Sequence, residues 1–249
     1  MSSHLPALKD EEWRYADFAV LERLAPDTCE AWRDLAVPAG ETARECFVLD
    51  GTEPDLRRLR VKVGDGARFE LFAVNAAADY ARVEVVVQLG EGAHFEFGGV
   101  TIGGGDATRE FVTRIDHGAP DATSRQVVRS VHWGQATGNF LGRIDVGRGG
   151  QRTDAGQDFK ALLLEKGATA NAKPELEIYA DDVKCAHGAA IGQLDEAARY
   201  YMAARGIAPE AARGLLIRAF IADALAALDD EAAQGRLLAS ALGALEAHA

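Results

Sequence analysis

The chain is poor in cysteine. Cys29, Cys46 and Cys185 are an odd number at wide spacing, which argues against a disulfide framework and for a reducing compartment. Long apolar runs are also missing: none approaches the roughly 18–20 residues that span a bilayer. Positive charge is scarce. Lys and Arg total 27 against 39 Asp and Glu, a net charge of −12 over 249 residues, and no Lys/Arg run exceeds a pair. Such a surface repels phosphate backbones, so neither nucleic acid nor membrane is an expected partner. Residues 1–13 carry Lys9, Asp10, Glu11 and Glu12 without the apolar core of a signal peptide, and a cytoplasmic location is expected. Enzyme signatures are absent too. Gly103-Gly104-Gly105 runs into Asp106 rather than Gly-Lys-Ser/Thr, so it reads as a turn. No G-x-S-x-G, H-E-x-x-H, CxxC or strand-to-helix GxGxxG occurs.

What is present divides the chain into three zones. Residues 1–45 hold Trp13 and Trp32 and short helix-like patterns (Phe18, Leu21, Leu24) broken by Pro26 and Pro38; an N-terminal helical segment is expected. Residues 46–194 carry recurrent short runs with period-two alternation. Examples are 59–63, 69–72, 83–87, 95–97, 111–115, 126–131 and 176–179, separated by glycine-bearing turns. Gly66-Ala67, Gly92-Ala93 and Gly118-Ala119 recur every 26 residues, a period that suits stacked coils of a parallel β-helix. Residues 195–249 read as alanine-rich helix. Pro209 and Glu210 fit a first turn, and Ile217, Ile221, Leu225 and Leu228 form an apolar face widened by Leu216 and Phe220. Asp229-Asp230 offer a cap for a last helix with Leu238, Leu242 and Leu245 on one side. The fold expected is mainly β: a parallel β-helix core between a helical N-terminal segment and a C-terminal helical region.

Cys185 and His187 stand two residues apart in a stretch, 177–188, that reads as a strand, so both side chains point the same way. Thiol and imidazole are both ligands for borderline-to-soft metals. Alone, such a pair is more often a packed cysteine beside a hydrogen-bonded histidine. His94, His117 and His132 stand singly and read as surface or turn residues, while His4 and His248 lie near the termini. Glu70, Glu84 and Glu96 alternate along strands, and a β-helix carbohydrate-active enzyme using groove carboxylates is the alternative reading. Asp181 and Asp182 would face opposite sides of an extended chain and make no acid/base couple.

A longer pattern surrounds the pair. Gln157-Asp158-Phe159-Lys160-Ala161-Leu162-Leu163-Leu164 is followed by Lys173-Pro174-Glu175-Leu176-Glu177-Ile178-Tyr179-Ala180 and Asp181-Asp182-Val183-Lys184-Cys185-Ala186-His187-Gly188. Then come Gly192-Gln193-Leu194-Asp195, Tyr200-Tyr201 and Arg205-Gly206-Ile207, with Glu12-Trp13-Arg14-Tyr15-Ala16-Asp17 as an N-terminal anchor. Together these resemble the SufB/SufD family of iron–sulfur cluster assembly proteins, and more closely its SufD branch. The resemblance implies a right-handed parallel β-helix and a non-catalytic scaffold subunit that pairs with a SufB-like chain and a SufC-like ABC ATPase. It implies an ATPase-docking region over residues 200–228, with Arg205, Gly206, Leu216 and Phe220 as candidates. It also implies transient iron or a nascent cluster at the interface between the two β-helix chains, with His187 as the matching ligand position and Cys185 secondary, and no tightly bound cofactor in this chain alone. A homodimer of the isolated chain, paired through β-helix edges, is a further expectation. The chain looks short for the family.

Overall fold

The computed structural model describes residues 11–24 and 26–246; His4 and His248 lie outside them. A 3₁₀ turn (Glu11–Trp13) and two short helices, α1 (Phe18–Leu21) and α2 (Pro26–Glu30), precede twelve strands. In chain order these are β1 (Arg33–Val37), β2 (Thr42–Leu49), β3 (Asp55–Val63), β4 (Arg68–Asn75), β5 (Ala81–Leu89) and β6 (His94–Gly103). They continue with β7 (Thr108–His117), β8 (Thr123–His132), β9 (Thr137–Val146), β10 (Asp154–Leu163), β11 (Thr169–Ile178) and β12 (Lys184–Gly192). Odd-numbered strands stack into one parallel six-stranded sheet and even-numbered strands into a second. The result is a parallel β-solenoid of six coils, followed by α3 (Glu196–Ala204), α4 (Pro209–Ala222), a 3₁₀ turn (Asp223–Leu225) and α5 (Glu231–Glu246). The strands β1 and β2 begin inside the 1–45 stretch expected to be helical.

The 26-residue period is the coil length of the first turns: Asp55 pairs with Ala81 and Arg68 with His94. Coils then lengthen, so that His94 pairs with Thr123 and Thr123 with Asp154. Gly66 and Gly92 occupy one turn position with φ of 63° in each, a region open to glycine at no steric cost. The third Gly-Ala pair is not part of this series. Asp121, with φ 59°, takes that place ahead of Ala122, and Arg152, with φ 60°, takes it in the next coil.

Inward-facing residues change character along the axis. The early coils enclose Leu59, Val61, Phe69, Val85, Phe95, Phe97 and Phe111. Phe69 stacks on Phe95 at 5.9 Å, and Phe97 meets Phe111 edge-on at 5.3 Å; such pairs add about 0.5–1.5 kcal/mol beyond their burial. Later coils enclose polar groups that bond across the lumen: Thr113 Oγ1 donates to Gln126 Oε1 at 2.6 Å, and His117 Nε2 lies 2.9 Å from Ser124 Oγ. His132 is held between Thr101 and the carbonyl of Gly103. His117 and His132 are therefore core residues, not surface or turn residues; a solenoid lumen accepts polar side chains that satisfy one another across it. Burial draws His117 down to about 4. Burial, with Arg109 nearby, draws His132 to about 3.

Each outer face of the solenoid is covered in part. The N-terminal segment lies on the odd sheet, where Arg82 is fully buried between Glu84 and Glu110. The Trp13 ring sits 3.9 Å from the Arg82 guanidinium carbon, and Arg82 Nη2 donates to the carbonyl of Glu12. Tyr80 donates to Glu110 at 2.6 Å. On the even sheet, Phe72, Val74, Val100, Ile102 and Val131 pack against Ile217, Ile221, Leu225, Leu228 and Leu237. A Cβ on Gly98 would come within 2.1 Å of the Ala224 carbonyl oxygen, so glycine is what lets the 3₁₀ turn rest on β6. The α4 face matches the sequence reading. In α5 the fully buried positions are Ala233, Leu237 and Ala241, with Leu238, Leu242 and Leu245 at the margin. Asp230 Oδ1 caps α5 by accepting from the Ala233 amide, while Ala208 gives α4 no side-chain cap.

Candidate functional site

The stretch 177–188 is two strands, not one. β11 ends at Ile178, residues 179–183 turn, and β12 starts at Lys184. Asp181 and Asp182 lie in that bend, where Asp182 closes the turn through its carbonyl, which accepts from the Arg152 amide at 2.6 Å. Cys185 and His187 are both on β12, in the same phase of the strand, as their spacing requires.

β12 ends the even sheet, so its outer row of backbone N–H and C=O groups has no strand partner among the described residues. On its inner side Cys185 pairs with Ala155 and His187 with Gln157. Cys185 is half-buried against Ala155, Ile144, Val146 and Ala180. Burial, and then the Asp154 carboxylate, push its thiol above its ordinary range, with the Ala155 amide opposing; at neutral pH the group is a thiol. His187 is exposed at the mouth of the last coil. Exposed apolar side chains also occur on the last coil: Ile178 at the end of β11, Tyr179 after it, and Ile191 on β12.

Gln157 was not singled out from the sequence as a site residue, and register reveals it. Phe97, Gln126, Gln157 and His187 occupy one column across β6, β8, β10 and β12. Gln157 Nε2 donates to the Glu175 carbonyl at 3.1 Å. Its Oε1 is buried with no hydrogen-bond partner among the described residues. The polar lumen thus runs up to the imidazole, and only the pairing register could show it.

The docking candidates lie elsewhere, on the helical layer. Arg205 is exposed at the end of α3, its guanidinium 4.9 Å from the Tyr201 ring, and Gly206 follows with φ 81°. Leu216 and Phe220 are half-buried on α4, and Phe220 packs into the layer. The strongly exposed apolar side chains of this region are Tyr200 (79%), Tyr201 (60%) and Leu215 (49%).

The carboxylates of the alternative reading are committed to basic side chains. Glu70 binds Arg44 and Arg68, Glu84 binds Arg58 and Arg82, and Glu96 contacts His94. Each is under a tenth exposed. A cleft of about 450 Å³ lies over the odd sheet beneath residues 11–13, with Glu84, Arg114, Arg143 and Lys173 among its walls. Neither Cys185 nor His187 contributes to it. Among the described residues, no group of three or more His, Cys, Asp and Glu is placed to hold a metal ion, and no helix is long and apolar enough to cross a membrane.

The architecture is that of a six-coil parallel β-helix with a thiol–imidazole pair on its last strand and a helical layer on one sheet. The family profile for the SUF system FeS cluster assembly SufBD core domain matches residues 50–220, and the chain belongs to that family. Among relatives, it is 37% identical over 127 residues to the iron-sulfur cluster assembly protein SufD of Escherichia coli, covering 51% of this chain and 30% of that protein. It is 48% identical over 109 residues to the chloroplastic protein ABCI7 of Arabidopsis thaliana, covering 43% of this chain and 22% of that one. A SufBD family protein of Synechocystis is 40% identical over 121 residues, covering 49% of this chain and 26% of that one. The matched stretch spans less than a third of each of these relatives.

Proposed function

We propose that this chain is a SufD-type scaffold subunit in iron–sulfur cluster assembly, on whose last coil a nascent cluster or its iron is held together with a second β-helix chain. The observation that carries the reading is the position of His187: exposed, on the terminal strand, at an open sheet edge of a coil that also exposes Ile178, Tyr179 and Ile191. A neutral imidazole is a competent iron ligand. A cluster or four-coordinate iron needs more donors than Cys185 and His187 provide, and a SufB-like partner seated on the open end of β11 and β12 would supply thiolate. Strand edges of the two chains would satisfy each other's backbone groups, as in β-augmentation.

The exposed face of α3 and the start of α4, with Tyr200, Tyr201, Arg205 and Leu215, is the proposed seat of a SufC-like ABC ATPase. The chain would then act without catalysing a reaction itself. Its role is to place one ligand and to receive the motion of the ATPase. Pairing of Glu70 and Glu84 with arginines and of Glu96 with His94 disfavours the carbohydrate-enzyme reading, since a general acid needs a carboxyl free to hold and release a proton.

Co-expression with SufB-like and SufC-like chains tests the proposal. Wild type is expected to co-purify with both. Tyr200→Asp is expected to release the ATPase while keeping the β-helix partner, and Ile191→Asp to release that partner while keeping the ATPase. Retention of both proteins by both variants would refute the assigned surfaces.

A further inference from the structure

Arg129 lies between the solenoid and the helical layer and takes no part in the proposed ligand set. It projects outward from β8 beneath the helical layer and is 2% exposed. All five of its N–H donors are used. Nε donates to Asp223 Oδ2 at 2.9 Å and Nη2 donates to the same oxygen. Nη1 donates to the carbonyls of Val128 at 2.9 Å and Asp158 at 3.0 Å, and Nη2 also reaches the Asp158 carboxylate. Asp223 follows the last residue of α4, 94 positions along the chain from Arg129. Asp158 is on β10, directly across from Gly188 of β12, and its Oδ1 lies 3.5 Å from where a Gly188 Cβ would be. The neighbouring pair in that ladder is Gln157 with His187.

One guanidinium therefore ties the end of α4 to the strand that lies alongside His187. We propose that Arg129 is a positioning residue that couples the docking helices to the His187 strand, so that a displacement of α4 by a bound ATPase moves β10 and β12. The inference rests on the proposed docking of an ATPase at α3 and α4. Its physical basis is the rigidity of a planar, fully bonded guanidinium. A lysine in its place has a single ammonium and cannot hold both carboxylates and both carbonyls in that geometry. The Phe220 ring, 5.8 Å from the guanidinium carbon, brings a side chain of α4 itself to the same junction.

The test uses the assembled complex with the SufB-like and SufC-like chains. Amide hydrogen exchange of residues 184–192 is compared with and without a non-hydrolysable ATP analogue for wild type, Arg129→Lys, Asp223→Ala and the double variant. Wild type is expected to show a nucleotide-dependent change in exchange at β12. Each single variant is expected to keep the ATPase bound but lose most of that change, and the double variant to lose no more than either single one. Asp223 is more than half exposed at its side chain, so Asp223→Ala keeps the test open if Arg129→Lys does not fold. A merely structural arginine would lower stability and leave the nucleotide response in place. Persistence of the response in both single variants overturns the inference, as does its absence in wild type with the ATPase bound. Failure of the wild-type chain to bind the ATPase overturns the docking reading instead, and the inference with it.

Discussion

His187 stands directly across the β10–β12 ladder from Gln157, which places the candidate ligand at the open end of a polar column rather than on an isolated surface strand. Gln126 and Gln157 lie behind it in the two preceding coils of the even sheet, and Phe97 closes the column one coil earlier. Cys185, two residues away, is the more buried of the pair and packs against Ala155 and Ile144.

That difference in setting predicts a quiet thiol. Burial raises Cys185 above its ordinary pKa, and the thiolate is the nucleophile. Alkylation of Cys185 in the isolated chain, followed by mass spectrometry, should be slower at pH 7 than that of a free thiol. It should accelerate more steeply as the pH is raised through 9. A rate at pH 7 equal to or above the free thiol would contradict the packing described.

Buried histidines predict the pH dependence of stability. His117 and His132 have folded values near 4 and 3, below the unfolded value near 6.5. Between those limits the unfolded chain binds more protons than the folded one, so stability falls as pH drops below about 6.5 and the loss ends near the folded values. For His117 the full window corresponds to roughly 3 kcal/mol. Urea midpoints at pH 7.5 and 5.5 should differ in that direction, and His117→Asn should reduce the difference. A midpoint unchanged over that range would refute the buried neutral state.

The covered face of the odd sheet predicts a large effect from one arginine. Arg82→Met leaves buried Glu110 without its cation while Glu84 keeps only Arg58, and breaking a buried pair costs about 3–5 kcal/mol. Denaturant unfolding should show a loss of that order. Arg58→Met, which leaves Glu84 its second arginine, should cost clearly less.

Close approach of the helical layer predicts sensitivity at Gly98. Gly98→Ala places a methyl group on the Ala224 carbonyl, and overpacking of this kind costs about 1–3 kcal/mol. Faster amide exchange over residues 216–228 should accompany the loss. Gly214→Ala, where nothing lies within 4 Å of the added carbon, should leave both measurements unchanged or slightly improved.

Much of the architecture was legible in local pattern. Alternating runs such as 83–87 became strands because one face of each had to be buried, and the Gly66 and Gly92 turns set the coil length. The α4 face could be read because 3.6-residue periodicity is a property of contiguous sequence. The misread parts depend on long-range pairing. Gly118-Ala119 matched the period by coincidence, whereas Asp121 adopts the left-handed turn that glycine takes in earlier coils. The break at 179–183 was hidden because strand-forming residues flank it on both sides. His117 and His132 looked superficial because their burial depends on distant partners, Ser124 on the opposite sheet and Thr101 on the neighbouring strand. Cys185 and His187 were visible from spacing. The column behind His187 and the Arg129 junction join residues with no local signature, so only register exposes them.

Iron and acid-labile sulfide bound by the co-expressed complex test the central claim most directly. The comparison is between wild type and His187→Ala, with complex size confirmed by light scattering. His187 is exposed, so its removal should change the chain's stability by no more than about 0.5 kcal/mol. The account predicts an intact complex whose iron and sulfide fall to background in His187→Ala. An intact complex with unchanged iron and sulfide would contradict it.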